Sequence, residues 1–221
     1  MLRAAARAGR RDDEVTLVAV SKTFPADAVR EAFAAGLREF GENKVQEAEG
    51  KLAALADLRA EGARFHLVGH LQGNKAKKAV QLFDLIHSLD SLELGRRLEH
   101  QAAAAGRVAR VLVQVDLAGE ATKFGLDEAQ LLPALGALRG LKALRLLGLM
   151  ILPPYDEDPE KSRPYFRRLR ELRDRARADD LIQGSELSMG MSHDLEVAIA
   201  EGATLVRVGT AIFGERARPP R

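Results

Sequence analysis

The chain has 221 residues, 46% of them hydrophobic and 30% charged, with no cysteine. Zero cysteines exclude a disulfide framework, a thiolate metal site and a cysteine nucleophile, and they fit a reducing cytoplasm. The net charge of +2 is spread over interleaved acids and bases, which argues against a duplex-binding face, and no apolar run is long enough to span a bilayer.

Residues 1–14 read as a leading helix or arm. The first eleven carry four arginines among alanines, as a transit peptide would, but serine is absent and Asp12, Asp13 and Glu14 follow at once. Strand-like segments then recur at 15–21, 38–42, 64–69, 85–90, 110–117, 145–152, 186–190 and 205–209. Those at 15–21, 110–117 and 145–152 are nearly continuous apolar runs, as strands buried on both faces are. Between them apolar residues repeat at the helical period. Examples are Ala28, Val29, Ala32 and Phe33 after Pro25, then Val45, Ala48, Leu52 and Leu55, and later Phe166, Leu169 and Leu172 among arginines. Strand followed by helix about eight times predicts a single α/β domain over 15–221, a (β/α)8 TIM barrel. The alternative is a doubly wound open sheet, but no GxGxxG follows the first strand. No second domain is expected, since the chain stops seven residues after Gly214.

In such a barrel, chemistry gathers at the carboxyl ends of the strands. The first strand runs into Lys22, a primary amine delivered to that mouth. The second ends in Gly-Glu-Asn, placing Asn43 at the rim. The seventh and eighth end in SMGMSHD and RVGTAIFGE. There Gly190, Ser188 and Ser192, and then Gly209 and Thr210, offer backbone N–H and hydroxyl donors of the kind that cradle phosphate. Singly, Gly209 could be a tight turn and Ser192 a helix cap; both loops on adjacent strands favour the cradle. Arg207 lies two residues before Gly209 and so faces the same side. Inside a barrel a guanidinium needs an acceptor, either a core carboxylate or a ligand. Amine, cradle and arginine together suggest pyridoxal 5′-phosphate (PLP), its aldehyde on Lys22 as a Schiff base, its phosphate on the last two loops and its pyridine nitrogen at Arg207.

The other candidates carry less. His66 and His70 share one face of the third strand without a third ligand, so no metal site is assigned. His87 and His193 are expected at the rim in hydrogen-bonding roles. Glu42 and Glu120 form a carboxylate pair only if the barrel closes them together. Lys123, between Gly119 and Gly125, is a second amine near the mouth and a candidate for passing the aldehyde on. Lys75, Lys77 and Lys78 read as a solvated face, since nothing aromatic interleaves them as a nucleic-acid site would require.

The segments AVSKT, GENKVQE, FHLVGHLQGNK, HSLD, QVDLAGEATKFG, GLM and LSMGMSHDLEVAIAEGATLVRVGTAIFG resemble, in order, the pyridoxal phosphate homeostasis protein family, the YggS/PROSC-type PLP-binding proteins. The resemblance implies the barrel of alanine racemase without its second domain, with Lys22 as the Schiff-base lysine. It also implies Ser188, Ser192, Gly209 and Thr210 at the phosphate, Arg207 at the ring nitrogen and Asn43 near the cofactor. Asp116 stands where the family more often has Asn, and Phe124 where a small residue is usual.

Racemisation by this cofactor needs two opposed bases. The racemase fold takes its second, a tyrosine, from a separate β-domain; this chain has only Tyr155 and Tyr165, on or beside the long 153–164 connection. An arginine at the pyridine nitrogen also keeps that nitrogen unprotonated and weakens the ring as an electron sink. The expectation is a non-catalytic holder of PLP in vitamin B6 homeostasis, cytoplasmic and monomeric, with no catalytic residue, metal, membrane or nucleic acid. Its recipients would be PLP-dependent apo-enzymes. The alternatives are a minimal PLP-dependent racemase-like enzyme and, more distantly, an aldolase using Lys22 on a substrate carbonyl.

Overall fold

The apolar runs become parallel strands that close on themselves. The computed structural model describes residues 1–119 and 124–214. Its strands are β1 (Thr16–Val20), β2 (Glu39–Glu42), β3 (Arg64–Leu67), β4 (Leu85–Leu89), β5 (Ala109–Asp116), β6 (Leu126–Asp127), β7 (Leu144–Met150), β8 (Glu186–Met191) and β9 (Leu205–Val208). The sheet runs β4-β3-β2-β1-β9-β8-β7-β5, and pairing of β4 with β5 completes the barrel. The two-residue β6 hangs on β5, outside the ring of eight. All eight predicted strands are present within two residues at either end; β6 was not foreseen, because two residues carry no periodicity.

The helices are α1 (Leu2–Arg7), α2 (Ala26–Ala34), α3 (Val45–Ala54), α4 (Ala56–Ala60), α5 (Ala76–Leu82), α6 (Leu92–Ala104), α7 (Glu128–Arg139), α8 (Arg163–Ala178), α9 (Leu195–Ala200) and α10 (Thr210–Phe213). The apolar stripe that begins at Val45 is broken at Leu55, which leaves the helical region and divides α3 from α4. Among the described residues no helix is long and apolar enough to cross a membrane.

Alternation along the strands makes two cores. The larger lies between sheet and helices and includes Phe40, Phe65, Leu146, Phe166 and Val206. The smaller fills the barrel with Val18, Val20, Val68, Leu85, Leu112, Met150 and Leu205. Two residues from members of this inner set stand His66, His87, Gln114 and Arg207, all buried, so a large part of the interior is polar. Burying polar groups is tolerable only where each finds a hydrogen-bond partner.

The end of β8 shows what positions the mouth. Gly190 has φ 89°, and a Cβ there would collide with the Ala198 methyl of α9, so both backbone and space call for glycine. Asp194, buried, accepts from the Met191 N–H at 2.7 Å and the Ser162 hydroxyl at 3.1 Å. That pair of bonds fixes the turn carrying Ser192.

Candidate functional site

Lys22 sits at the corner of a clamped turn. The Phe24 N–H donates to the Ser21 carbonyl at 3.1 Å, closing four residues around Lys22 and Thr23. Thr23 has φ 69°, a left-handed conformation that costs a non-glycine residue about 1 kcal/mol. Side chains from β2 and α3 hold it there. Lys51 Nζ donates to the Ser21 carbonyl at 2.8 Å, the Ser21 hydroxyl donates to Glu42 Oε1 at 2.7 Å, and the Thr23 N–H donates to Glu47. The peptide units on both sides of Lys22 are thereby fixed, and the side chain, half-buried, continues the period-two series of Val18 and Val20 toward the barrel interior.

The same clamp decides which way Glu42 faces. Its carboxylate is turned away from the mouth, toward Ser21 and Lys51. Its neighbour Gly41 faces Val18, Val20 and Val68 inside the barrel, so Glu42 faces the helices, where Oε1 meets Lys51 Nζ at 2.7 Å. Burial pushes its carboxyl up, against the hydrogen bonds of Lys51 and Ser21, and Oε2 is buried without a hydrogen-bond partner among the described residues. Glu120 and Lys123 lie outside the described residues.

Arg207, on the strand beside β1, is buried and pairs in register with Val18. Its Nη1 donates to the Ser188 hydroxyl at 2.5 Å and its Nη2 to the Ile151 carbonyl at 2.9 Å. Both acceptors are neutral, so neither compensates its charge. Burial lowers its pKa to about 10, partly offset by the field of Asp194, so it remains a cation at neutral pH. Ser188 is therefore engaged inside the barrel, fully buried, between Arg207 and His87 Nδ1 at 2.8 Å. It stands apart from the other expected phosphate ligands: Ser192 and Thr210 are exposed, and Gly209 is half-buried.

Gly209 caps α10. Its carbonyl accepts from the Ile212 and Phe213 amides at 2.9 and 3.0 Å, while the amides of Thr210 and Ala211 belong to a first turn that has no intrahelical acceptors. A Cβ on Gly209 would stand 3.3 Å from the Val20 carbonyl, so α10 begins directly against the end of β1. Phe24 and Phe213, with ring centroids 5.2 Å apart, pack the lysine turn onto the same short helix. Lys22, Arg207 and the Gly209–Thr210 start are thus brought to one side of one mouth.

The remaining candidates separate. Asn43 is half-buried after β2, its backbone packed so closely on Gly69 that a Cβ there would lie 2.9 Å from the Asn43 Cα. His66 and His70 do not act as a pair: His66 points into the barrel, whereas His70 leaves β3 to meet Asp90 at 3.1 Å and to stack on Phe124 at 3.5 Å. His87 is not at the rim but fully buried, and burial, with the fields of His66 and Arg207, drives its pKa well down. His193 is at the rim, near the exposed Tyr155 ring and 3.0 Å from the Asp156 carbonyl. Sequence reasoning passed over Lys51 and Glu47. Their only signal was a helix whose Glu47 and Lys51, four residues apart, lie on one side.

The alanine racemase N-terminal domain family matches residues 2–217. A pyridoxal phosphate homeostasis protein of Pseudomonas aeruginosa is 49% identical over 215 residues, 96% of this chain and 90% of the relative; that of Aquifex aeolicus is 45% identical over 214 residues, 97% and 92%. Among solved structures, PipY of Synechococcus elongatus with PLP bound superposes with a TM-score of 0.86 at 43% identity, covering 96% of this chain and 98% of that one. Alanine racemase of Clostridium difficile shares the fold at 15% identity and a TM-score of 0.70, with 98% of this chain matched to 56% of the racemase.

Proposed function

The chain belongs to the pyridoxal phosphate homeostasis protein family, and from that premise we propose that it holds PLP reversibly as a Schiff base on Lys22 and does not itself turn substrates over. One observation carries the reading: a buried guanidinium with two neutral acceptors lies one strand from a lysine whose backbone is clamped on both sides. The residues fit the group. An anionic, phosphate-bearing ligand supplies the negative charge that Ser188 and Ile151 do not. The α10 start, pressed onto β1, offers the Thr210 hydroxyl and two backbone amides for the phosphate, with Ser192 across the mouth.

The bound cofactor supplies an aldehyde that condenses reversibly with an amine. What this chain contributes is placement. The Ser21–Phe24 turn aims the Lys22 amine, and Arg207 orients the ring through its nitrogen. Since Arg207 keeps its proton at neutral pH, it donates a hydrogen bond and leaves the ring nitrogen unprotonated, a poor electron sink for carbanion chemistry. A second base is also wanting among the described tyrosines. Tyr155 is 78% exposed, and Tyr165 lies on α8, on the outer core. In this reading the protein works as a cytoplasmic monomer that buffers PLP and passes it to PLP-dependent apo-enzymes.

The test is to load the purified protein with PLP and to measure both an absorbance band near the visible edge and racemisation or decarboxylation of amino acids. The reading expects the band, with turnover no faster than free PLP gives. Turnover far above that rate would replace it with the enzyme reading; the absence of any band would remove both.

A further inference from the structure

The buried polar chain that begins at Arg207 does not stop at His87. His87 Nε2 lies 2.8 Å from His66 Nδ1, and His66 Nε2 lies 2.6 Å from Glu39 Oε2. Glu39 opens β2 at the amino end of the barrel, the mouth opposite Lys22, beside a cavity of about 120 Å³. Five side chains from β2, β3, β4, β8 and β9 thus form one hydrogen-bonded line through the barrel.

The line has a direction. Burial pushes the Glu39 carboxyl up, but the hydrogen bond of His66, with the fields of Arg64 and Arg110, holds it below the usual glutamate value. It is therefore an acceptor only, and it requires the proton of His66 on Nε2. When both imidazoles are neutral, the bare His66 Nδ1 requires His87 to carry its proton on Nε2, and the bare His87 Nδ1 requires the Ser188 hydroxyl to donate. The Ser188 oxygen is then left to accept from Arg207, as it does at 2.5 Å. One tautomer assignment satisfies all four hydrogen bonds, and every donation runs from Arg207 toward Glu39. Reversing it leaves the Ser188 proton outside the line and sets two acceptors, His66 Nε2 and the carboxylate, against each other. Hydrogen bonds in such a chain polarise one another.

We propose that Glu39, His66, His87 and Ser188 are positioning residues, a relay through which the carboxylate charge at the far mouth sets how firmly Arg207 is held at the cofactor mouth. The proposal rests on the reading of Arg207 as the ring contact. Glu39 is faced by His66 and Arg64 of β3, the latter at 3.9 Å, by Arg110 of β5, and across the same cavity by Asp84 and by Glu186 of β8. Asp84 is engaged by Arg59 at 3.1 Å, and Glu186 accepts from Thr204. Glu39 alone enters the line.

The experiment uses the full chain, labelled with ¹⁵N and free of cofactor, so that its outcome does not depend on PLP binding. At a pH where His66 and His87 are both neutral, imidazole spectra of the unsubstituted protein should show the proton of each on Nε2. The proton on His87 Nδ1 would overturn the relay, and this result stands even if a variant fails to fold. Glu39→Gln keeps an acceptor but removes the charge; it should shift the Arg207 guanidinium resonances, and the shift should vanish when Ser188→Ala cuts the line. An equal shift in both backgrounds would mean a field acting through space, and would overturn the relay. In the PLP-loaded protein, Glu39→Gln should change the dissociation constant about threefold, and only with Ser188 present. Failure of PLP to bind at all would sink the functional reading while the resonances still decide the relay.

Discussion

Two buried charged groups lie on opposite faces of the same few strands, and they are treated differently. Outside the barrel wall, Glu42 and Lys51 meet at 2.7 Å, anion against cation, beneath the turn that carries Lys22. Inside it, Arg207 is as deeply buried but is met by a serine hydroxyl and a carbonyl. A charge with a structural task is neutralised where it stands, because removing one partner of a buried pair leaves the other uncompensated. Arg207, met by two neutral acceptors, is on the proposed reading the charge that serves the cofactor. The two charges are both buried and differ in what meets them.

Substitutions break this comparison in order of size. Lys22→Ala should abolish the cofactor band entirely, which absorbance spectra check. Lys51→Met should destabilise the fold by about 3 kcal/mol in denaturant titrations, as expected for half of a buried ion pair, and weaken the cofactor only through the loosened turn. Arg207→Gln should do the reverse. It should lose about tenfold in PLP affinity, the scale of one charge-assisted hydrogen bond, with the smaller effect on stability. If Lys51→Met and Arg207→Gln affect stability and affinity alike, the distinction between the two charges fails.

A pH series sharpens the outer half of the comparison. Burial raises the Glu42 carboxyl above its ordinary 4.5, so the folded state binds that proton more tightly than the unfolded chain. The contribution is complete below the unfolded value and is lost as pH rises through the folded one. Stability of the unsubstituted protein relative to Glu42→Gln should therefore fall as pH rises from about 4 through the raised value, as urea midpoints would record. Smallest of all, Thr210→Ala should weaken PLP binding about threefold, since the hydroxyl is exposed and water can take its place at the phosphate, without moving the melting temperature.

The barrel was legible because strands buried on both faces must be written in apolar runs, and those at 15–21, 110–117 and 145–152 are. Lys22 and Arg207 were legible because strand alternation and strand ends say where a side chain points. The relay was not. His66 and His87 interrupt apolar strands, and only closure of the sheet, with β8 facing β4, turns two isolated imidazoles into neighbours. Ser188 was grouped with the phosphate loop because SMGMS reads as one motif, yet period-two alternation sends Ser188 inward while Ser192 lies beyond the strand. For Glu42 the sequence leaves a carboxylate pair conditional on how the barrel closes, because the wall between mouth and helix layer is set by Gly41, whose facing a one-dimensional reading does not fix.

The central claim is that Lys22 is the amine that holds the cofactor. It is tested most directly by loading the protein with PLP, reducing it with borohydride and mapping the modified peptide. The account predicts one phosphopyridoxyl group, on the peptide containing Lys22, and no fixed label in Lys22→Ala. Label that persists in that variant, or that maps in the unsubstituted protein to another lysine such as Lys51 or Lys123, would contradict it.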